Sequence, residues 1–264
     1  MSVPTTSVIR ESLLAGPVPR YEIPGWRERF GVVAGITARG GESGQGFDLG
    51  LWTDEPVGEV MTRWRAFRSA EAGFGSMVLG HQVHKADVAW HDAAGRGWTQ
   101  IEGYDGHATA APGLLLTVTV ADCIPIYLAA PRQRAVALLH SGWRGTAAGI
   151  LARGVESLVE HTKCNVSDIV MHCGVGICGS CYEVGSEVMD GCARSYDGAG
   201  PWHIDLREVL AQQGETMGLS AVSTSQWCSS HDRPRFYSHR ASGGRDGRMV
   251  AYIGIPLGAG ETGV

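Results

Sequence analysis

Two apolar runs, IYLAA (126–130) and AVALLH (135–140), flank the polar break PRQR, and this pairing limits the fold more than any other stretch of the chain. Short apolar runs around such a loop predict a β-hairpin. With Ala130 opposite Ala135, His140 faces Pro125. The residues just before the hairpin, TVTVADCIP, interrupt good strand with Asp122, Cys123 and Pro125. A carboxylate and a proline are unfavourable inside a strand, so the interruption asks for a purpose. Cys123 lies on a diagonal from His140, roughly 7–8 Å between backbones, and the two side chains can reach one point. A candidate site therefore gathers where the hairpin begins.

Strand-like runs also occur at 76–90, 114–121, 168–172, 234–238 and 248–254. Helical periodicity covers 57–72, with Val60, Trp64, Phe67 and Ala70 about one turn apart. It returns over 144–161, where Ala147, Ile150, Leu151, Val155 and Leu158 form one stripe. Shorter helices are expected at 183–195 and 205–215. Helices interspersed with strands that also form tight hairpins predict an α+β fold with a mixed sheet. Gly-rich pieces at 39–50, 174–179, 198–200 and 243–247 are too short for tethers and read as loops. With no repeat or linker, residues 1–264 read as one domain.

A net charge of −5 opposes any general affinity for nucleic acid or anionic membrane, so a positive site must be local. The longest apolar stretch, 113–130, is broken by Asp122 and Pro125, which argues against a membrane span. The N-terminal segment lacks the apolar core of a signal peptide. Seven cysteines without regular spacing predict reduced thiols in a cytoplasm.

SMVLGHQVHKADVAW offers a third member of the site. On one continuous strand His81 and His84 point to opposite faces. His84 shares its face with Ala86, Val88 and Trp90 and turns inward, whereas His81 joins Lys85 and Asp87 in solvent. Two histidines and a cysteine suit Zn²⁺, with a fourth position left for water or substrate; a buried thiol with two satisfied histidines is the ordinary alternative. After His140, the turn at Ser141–Gly142 and Arg144 at a helix start suit an anion such as phosphate. A capped helix over Trp143 is the other reading. Cys178 and Cys181 have ligand spacing, and with His172 and Cys173 nearby they suggest either a structural zinc or merely small residues in a tight loop.

HQVH, TVADCIPI, HSGWRGTAAGI, GVGICGSCYEVGSEV and RFYSHRASGGRDGRMVAYI follow the order of motifs in the YfiH/YlmD-like family, and ITARGGESGQGFDLGL resembles its N-terminal Thr-Arg-x-Gly-Gly and Asn-Leu segment. The resemblance spans about 30–254. Members of this family, formerly labelled laccase-domain or polyphenol oxidase proteins, are described as purine nucleoside phosphorylases. The resemblance implies an α/β/β/α sandwich of layered mixed sheets flanked by helices. It also implies a catalytic zinc on His84, Cys123 and His140. The implied reaction is phosphorolysis of adenosine, inosine, guanosine and methylthioadenosine, with adenosine deamination beside it.

Arg144, Arg39 and the helix start are the candidate phosphate cradle. Asp122 either orients a ligand imidazole or caps its turn. The chain departs from the family at Asp48-Leu49, where Asn-Leu is usual, which touches polar contacts to substrate. It departs again at Cys178-Gly179-Ser180-Cys181-Tyr182 and at Tyr237-Ser238-His239-Arg240. A multi-copper oxidase is unsupported because no His-x-His occurs among the ten histidines, although Cu²⁺ also suits the donor set. The nucleobase-deaminase signature is absent. A third rival is a hydrolase with Cys123 as nucleophile and His140 as base; the resemblance implies peptidoglycan precursors as its substrates.

Overall fold

The computed structural model describes residues 6–40 and 46–258. The 41–45 part of the expected 39–50 loop, which carries part of the N-terminal motif, and residues 1–5 of the N-terminal segment lie outside the described residues. The hairpin forms between strands Ile124–Ala130 and Ala135–Ser141 in the expected register, Ala130 opposite Ala135 and Pro125 opposite His140. It sits at the centre of a seven-stranded sheet. The order is Ser7–Ile9, Ala221–Ser225, Val170–Cys173, Ile124–Ala130, Ala135–Ser141, Gly106–Thr109 and Val88–His91. A second seven-stranded sheet runs Ser12–Leu14, Arg20–Glu22, Val33–Thr37, Met249–Gly254, Leu114–Val120, Ser76–His81 and Gly97–Glu102. Both sheets mix parallel and antiparallel pairs.

Strand parity explains the layers. Along Ile124–Ala130, Tyr127 and Ala129 join Val118, Val120 and Ala251 of the second sheet in a shared core. Ile126 and Leu128 point the other way, toward helices Ile150–Thr162 and Leu206–Met217. The second sheet turns Leu115, Val250 and Tyr252 outward onto Val60, Trp64 and Phe67 of helix Val57–Ala70. The result is a helix/sheet/sheet/helix sandwich. Strands covered on both faces are apolar at every position rather than alternately. Each large side chain buried this fully contributes about 1.5–3 kcal/mol of transfer free energy.

The interruption at Asp122 now has a structural account. Residues 121–123 carry the chain from Leu114–Val120 in the second sheet to Ile124–Ala130 in the first. Asp122 takes the left-handed conformation, φ 84°, that lets the chain turn there.

Other expectations are corrected. The run at 76–90 is two strands, Ser76–His81 and Val88–His91, in different sheets. The helix expected over 144–161 is a five-residue helix, Trp143–Ala147, separated from Ile150–Thr162 by Gly149 at φ 78°. Residues 234–238 form no strand. The amides of Arg235 and Phe236 turn back onto the Asp232 carbonyl, Phe236 packs on Tyr21 and Trp227, and Tyr237 is buried in the same cluster, so the segment is an anchored loop. Residues 183–195 contain a two-residue strand, Glu183–Val184, and helix Ser186–Gly191. Among the described residues, no helix is long and apolar enough to cross a membrane.

Candidate metal centre and adjoining clefts

The ligand atoms of His84, Cys123 and His140 all lie within 4.8 Å of one another. Cys123 comes from the turn between the sheets and His140 from the hairpin. His84 comes from the loop after Ser76–His81. It does not sit in a strand facing an apolar interior: the strand has ended, and His84 is exposed at φ 58°. His81 is partly exposed as expected, bonding Glu102 at 2.7 Å and stacking on Trp52 at 4.4 Å.

Asp105, which the sequence reading missed, organises two of the three. Its fully buried carboxylate accepts the amides of Val83, His84 and Lys85 at 2.9–3.1 Å and pins the loop that presents His84. It also accepts Nδ1 of His140 at 2.9 Å, leaving Nε2 as the ligand atom. Burial pushes the Asp105 carboxyl up, but these hydrogen bonds outweigh it and hold the group below the usual carboxylate range. The residue is where it is because Gly106–Thr109 pairs with Ala135–Ser141, placing Gly106 opposite Leu139 and Asp105 next to His140. The amide of His140 donates to the Asp105 carbonyl at 2.7 Å. Asp105→Asn should weaken metal binding about 10–100-fold, the usual effect of losing an outer-sphere partner. Chelator competition measures it; unchanged affinity would remove Asp105 from the site.

Gly142 closes the group from behind. A Cβ there would stand 2.9 Å from Cys123 Sγ and 3.6 Å from the His84 ring, so any side chain would press on the sulfur. This is the physical content of the Gly in HSGWRG.

Burial pushes the Cys123 thiol up, but the His140 and His84 imidazoles outweigh it and bring it down to about 6. Burial likewise pushes His140 down, yet the Cys123 charge and Asp105 raise it to about 9. Without a metal the pair is thiolate and imidazolium at neutral pH. A metal must therefore expel the His140 proton, and apparent affinity should climb about tenfold per pH unit between about 6 and 9. It should steepen below about 6, where the thiol must also ionise, and lose this dependence above about 9. Affinity that is flat from pH 6.5 to 8.5 would show that the pair holds no proton for the metal to displace.

Asp122 holds no imidazole. Its carboxylate accepts the Ser229 hydroxyl and the Arg240 amide, both at 2.6 Å, and its carbonyl accepts the amide of Ile177. It fastens the ligand-bearing turn to two other segments, the second of its expected roles. Asp48 is also turned inward: its buried carboxylate accepts the amides of Gly50 and Arg248 at 2.7 Å each. Arg39 pairs with Asp246 at 3.1 Å and lies over the Tyr237 ring. Both Arg39 and Asp48 line a cleft of about 440 Å³ with Tyr237, Arg245 and Arg248.

A different cleft, about 500 Å³, is lined by Trp143, Tyr182, Trp202, Glu183, Glu187 and Arg240 among others. Trp143 follows Gly142, and Arg240 bonds Asp122, so this cleft adjoins the Cys123 turn. Burial, with the charges of Cys123 and Asp122 among its causes, pushes the Tyr182 phenol up to about 12. Arg144 is exposed with its guanidinium 4.3 Å from the Trp143 ring centre, on a helix too short to supply much dipole. His172 and Cys173 do not approach Cys178: His172 is buried against Glu11 and Ser223, and Cys173 lies in the core.

A family profile described as multi-copper polyphenol oxidoreductase laccase matches residues 33–256. The chain belongs to this laccase-domain family, which includes the YfiH and YlmD proteins. Its likeness to the purine nucleoside phosphorylase YlmD of Geobacillus stearothermophilus is 34% identity over 252 residues, 85% of this chain and 90% of that one. A protein named adenosine deaminase from an unknown prokaryotic organism is 30% identical over 246 residues, covering 84% and 94%. The crystal structure of YlmD from G. stearothermophilus superposes with a TM-score of 0.82 at 29% identity, covering 94% of this chain and all of that one. As a member of the laccase-domain family, the chain carries a Cys/His group able to hold a metal.

Proposed function

We propose that the chain is a zinc-dependent purine nucleoside phosphorylase of the cytoplasm. It would cleave adenosine, inosine, guanosine and methylthioadenosine with phosphate to the base and ribose 1-phosphate (or its methylthio analogue). Adenosine deamination would be a side activity. The observation that carries this reading is the three-donor group His84, Cys123 and His140 beside an aromatic-lined cleft. Two imidazoles and one thiolate fit zinc, and three protein donors leave a coordination position open, as in catalytic sites. Cu²⁺ suits the same donors, but three donors make a single-metal centre rather than a multi-copper cluster. When bound, zinc supplies Lewis acidity toward a substrate oxygen or water.

The chain's own residues do the rest. Asp105 holds His140 in one tautomer, and Asp122 fixes the turn that presents Cys123. Trp143, Tyr182 and Trp202 offer flat apolar faces to a purine, and Glu183 and Glu187 offer acceptors for its N–H groups. Tyr182 stays protonated at neutral pH and remains an O–H donor for the departing base. Arg144 is the first candidate for phosphate; Arg39, from the second cleft, is the other.

A second reading is favoured by the ionised Cys123–His140 pair, which is also the starting state of a cysteine hydrolase acting on a peptidoglycan precursor. Chelation separates the two, silencing the zinc enzyme and sparing the hydrolase. The direct test incubates zinc-loaded protein with a nucleoside panel, with and without phosphate. Phosphate-dependent release of free base with ribose 1-phosphate supports phosphorolysis, and inosine from adenosine without phosphate reveals deamination. No turnover of any nucleoside would sink the proposal.

A further inference from the structure

Outside the centre already described, four more ligand-type side chains converge. The donor atoms of Cys178, Cys181, Cys228 and His231 all lie within 4.8 Å of one another. A tetrahedral ion with Zn–S of about 2.3 Å and Zn–N of about 2.0 Å sets its donors roughly 3.5–3.8 Å apart. Cys178 Sγ stands 3.5 Å from His231 Nδ1. We propose that these four residues hold a second zinc ion, in a closed site with no position left for substrate.

Three independent features support it. The residues form two half-sites, Cys-Gly-Ser-Cys at 178–181 and Cys-Ser-Ser-His at 228–231. Each is on a tight turn: Gly179–Cys181 is a single 3₁₀ turn, and the Asp232 amide closes back onto the Cys228 carbonyl at 2.9 Å. Short C-x₂-C and C-x₂-H turns of this kind are the usual frame of structural zinc.

Next, backbone amides converge on a sulfur. Cys178 N and His231 N donate to Cys228 Sγ at 3.3 and 3.4 Å. Both amides favour the charged thiolate that binds metal, against burial, which pushes the metal-free Cys228 thiol up to about 11.

Finally, core packing explains neither Cys178 nor Cys181, although Cys228 is buried. Cys164, Cys173 and Cys192 pack in the apolar core, whereas Cys178 and Cys181 are half-exposed and His231 is exposed. Small hydrophobic fillers would be enclosed.

Such an ion would staple the loop 174–182 to the segment 225–232. Both segments reach Asp122, through the Ile177 amide and the Ser229 hydroxyl. The second ion would thus brace the turn carrying Cys123 without touching substrate.

The test counts metal in the full-length chain, purified under reducing conditions without chelator. Two zinc ions per chain are expected in the parent, one in Cys123→Ala, one in Cys178→Ser/Cys181→Ser, and none when all three changes are combined. Because the double variant can lose its fold, cobalt(II) titration of Cys123→Ala first stripped of its zinc supplies a separate reading. It should end at one cobalt per chain with tetrahedral visible bands and intense thiolate-to-cobalt charge transfer. His231→Ala in that background should shift those bands. A parent chain whose zinc is all lost in Cys123→Ala, a zinc-stripped Cys123→Ala chain that takes up no cobalt, or a disulfide within the group under these conditions would overturn the proposal.

Discussion

Cys123→Ala should remove the metal bound with His84 and His140 and lower nucleoside turnover by more than about a hundredfold. The bound exceeds the roughly 10–100-fold that follows loss of an outer-sphere partner, because here a direct donor is deleted. The remaining pair of imidazoles is a poor zinc site, and no neighbouring carboxylate replaces the sulfur: the Asp105 carboxylate is filled by His140 and three amides, and Asp122 by Ser229 and Arg240. The fold should survive, since the change deletes one sulfur in a turn whose other hydrogen bonds persist. Substitutions of that kind typically cost about 0.5–3 kcal/mol. Metal analysis, turnover and a thermal melt on one preparation decide it. Full phosphorolysis by this variant would place the chemistry elsewhere.

Arg144→Ala should weaken the use of phosphate by a factor of about 10–150 while the metal stays bound. A charge-assisted hydrogen bond is worth about 1.5–3 kcal/mol, which converts to that range. The structure sharpens the expectation. With a five-residue helix behind it, the anion site depends on the guanidinium rather than on a helix dipole. Arg144 is exposed and rests on Trp143, which lines the cleft beside Cys123, so its loss should leave the core intact. Arg144→Lys should recover part of the loss, since a point charge replaces a fork that binds two oxygens. Phosphorolysis followed against phosphate concentration, beside deamination in phosphate-free buffer, separates the cases. Equal losses in both reactions would mean that Arg144 serves the fold or a shared nucleoside pocket.

Legibility from sequence divides along local and non-local lines. The hairpin register was readable because Pro131 and two apolar runs specify it within fifteen residues. It placed Cys123 and His140 together correctly. His84 was named for a mistaken reason: period-two parity assumes a continuous strand, and the strand stops at His81. What presents His84 is a loop tied to Asp105. Asp105 itself escaped notice because it acts through pairing between 106–109 and 135–141, segments that no turn connects. Its only local signal was a lone Asp in EGYDGHAT before an apolar stretch. The 234–238 run misled for a related reason. Buried aromatics in loops look, in one dimension, like strands. Cys178 and Cys181 showed their spacing openly, but their partners lie about fifty residues further on rather than at His172 and Cys173.

The turn at 121–123 has a further consequence. It is the passage from one sheet to the other, and the three donors straddle it: His84 follows a strand of the second sheet, Cys123 lies in the passage, and His140 ends a strand of the first. Neither sheet alone can assemble the set. Metal capture should therefore come late in folding, once both sheets have formed and docked, and the ion would act as an inspector of assembly. A chain arrested with one sheet formed has no site to fill, so pulse-labelling during refolding should find the metal arriving after amide protection in both sheets.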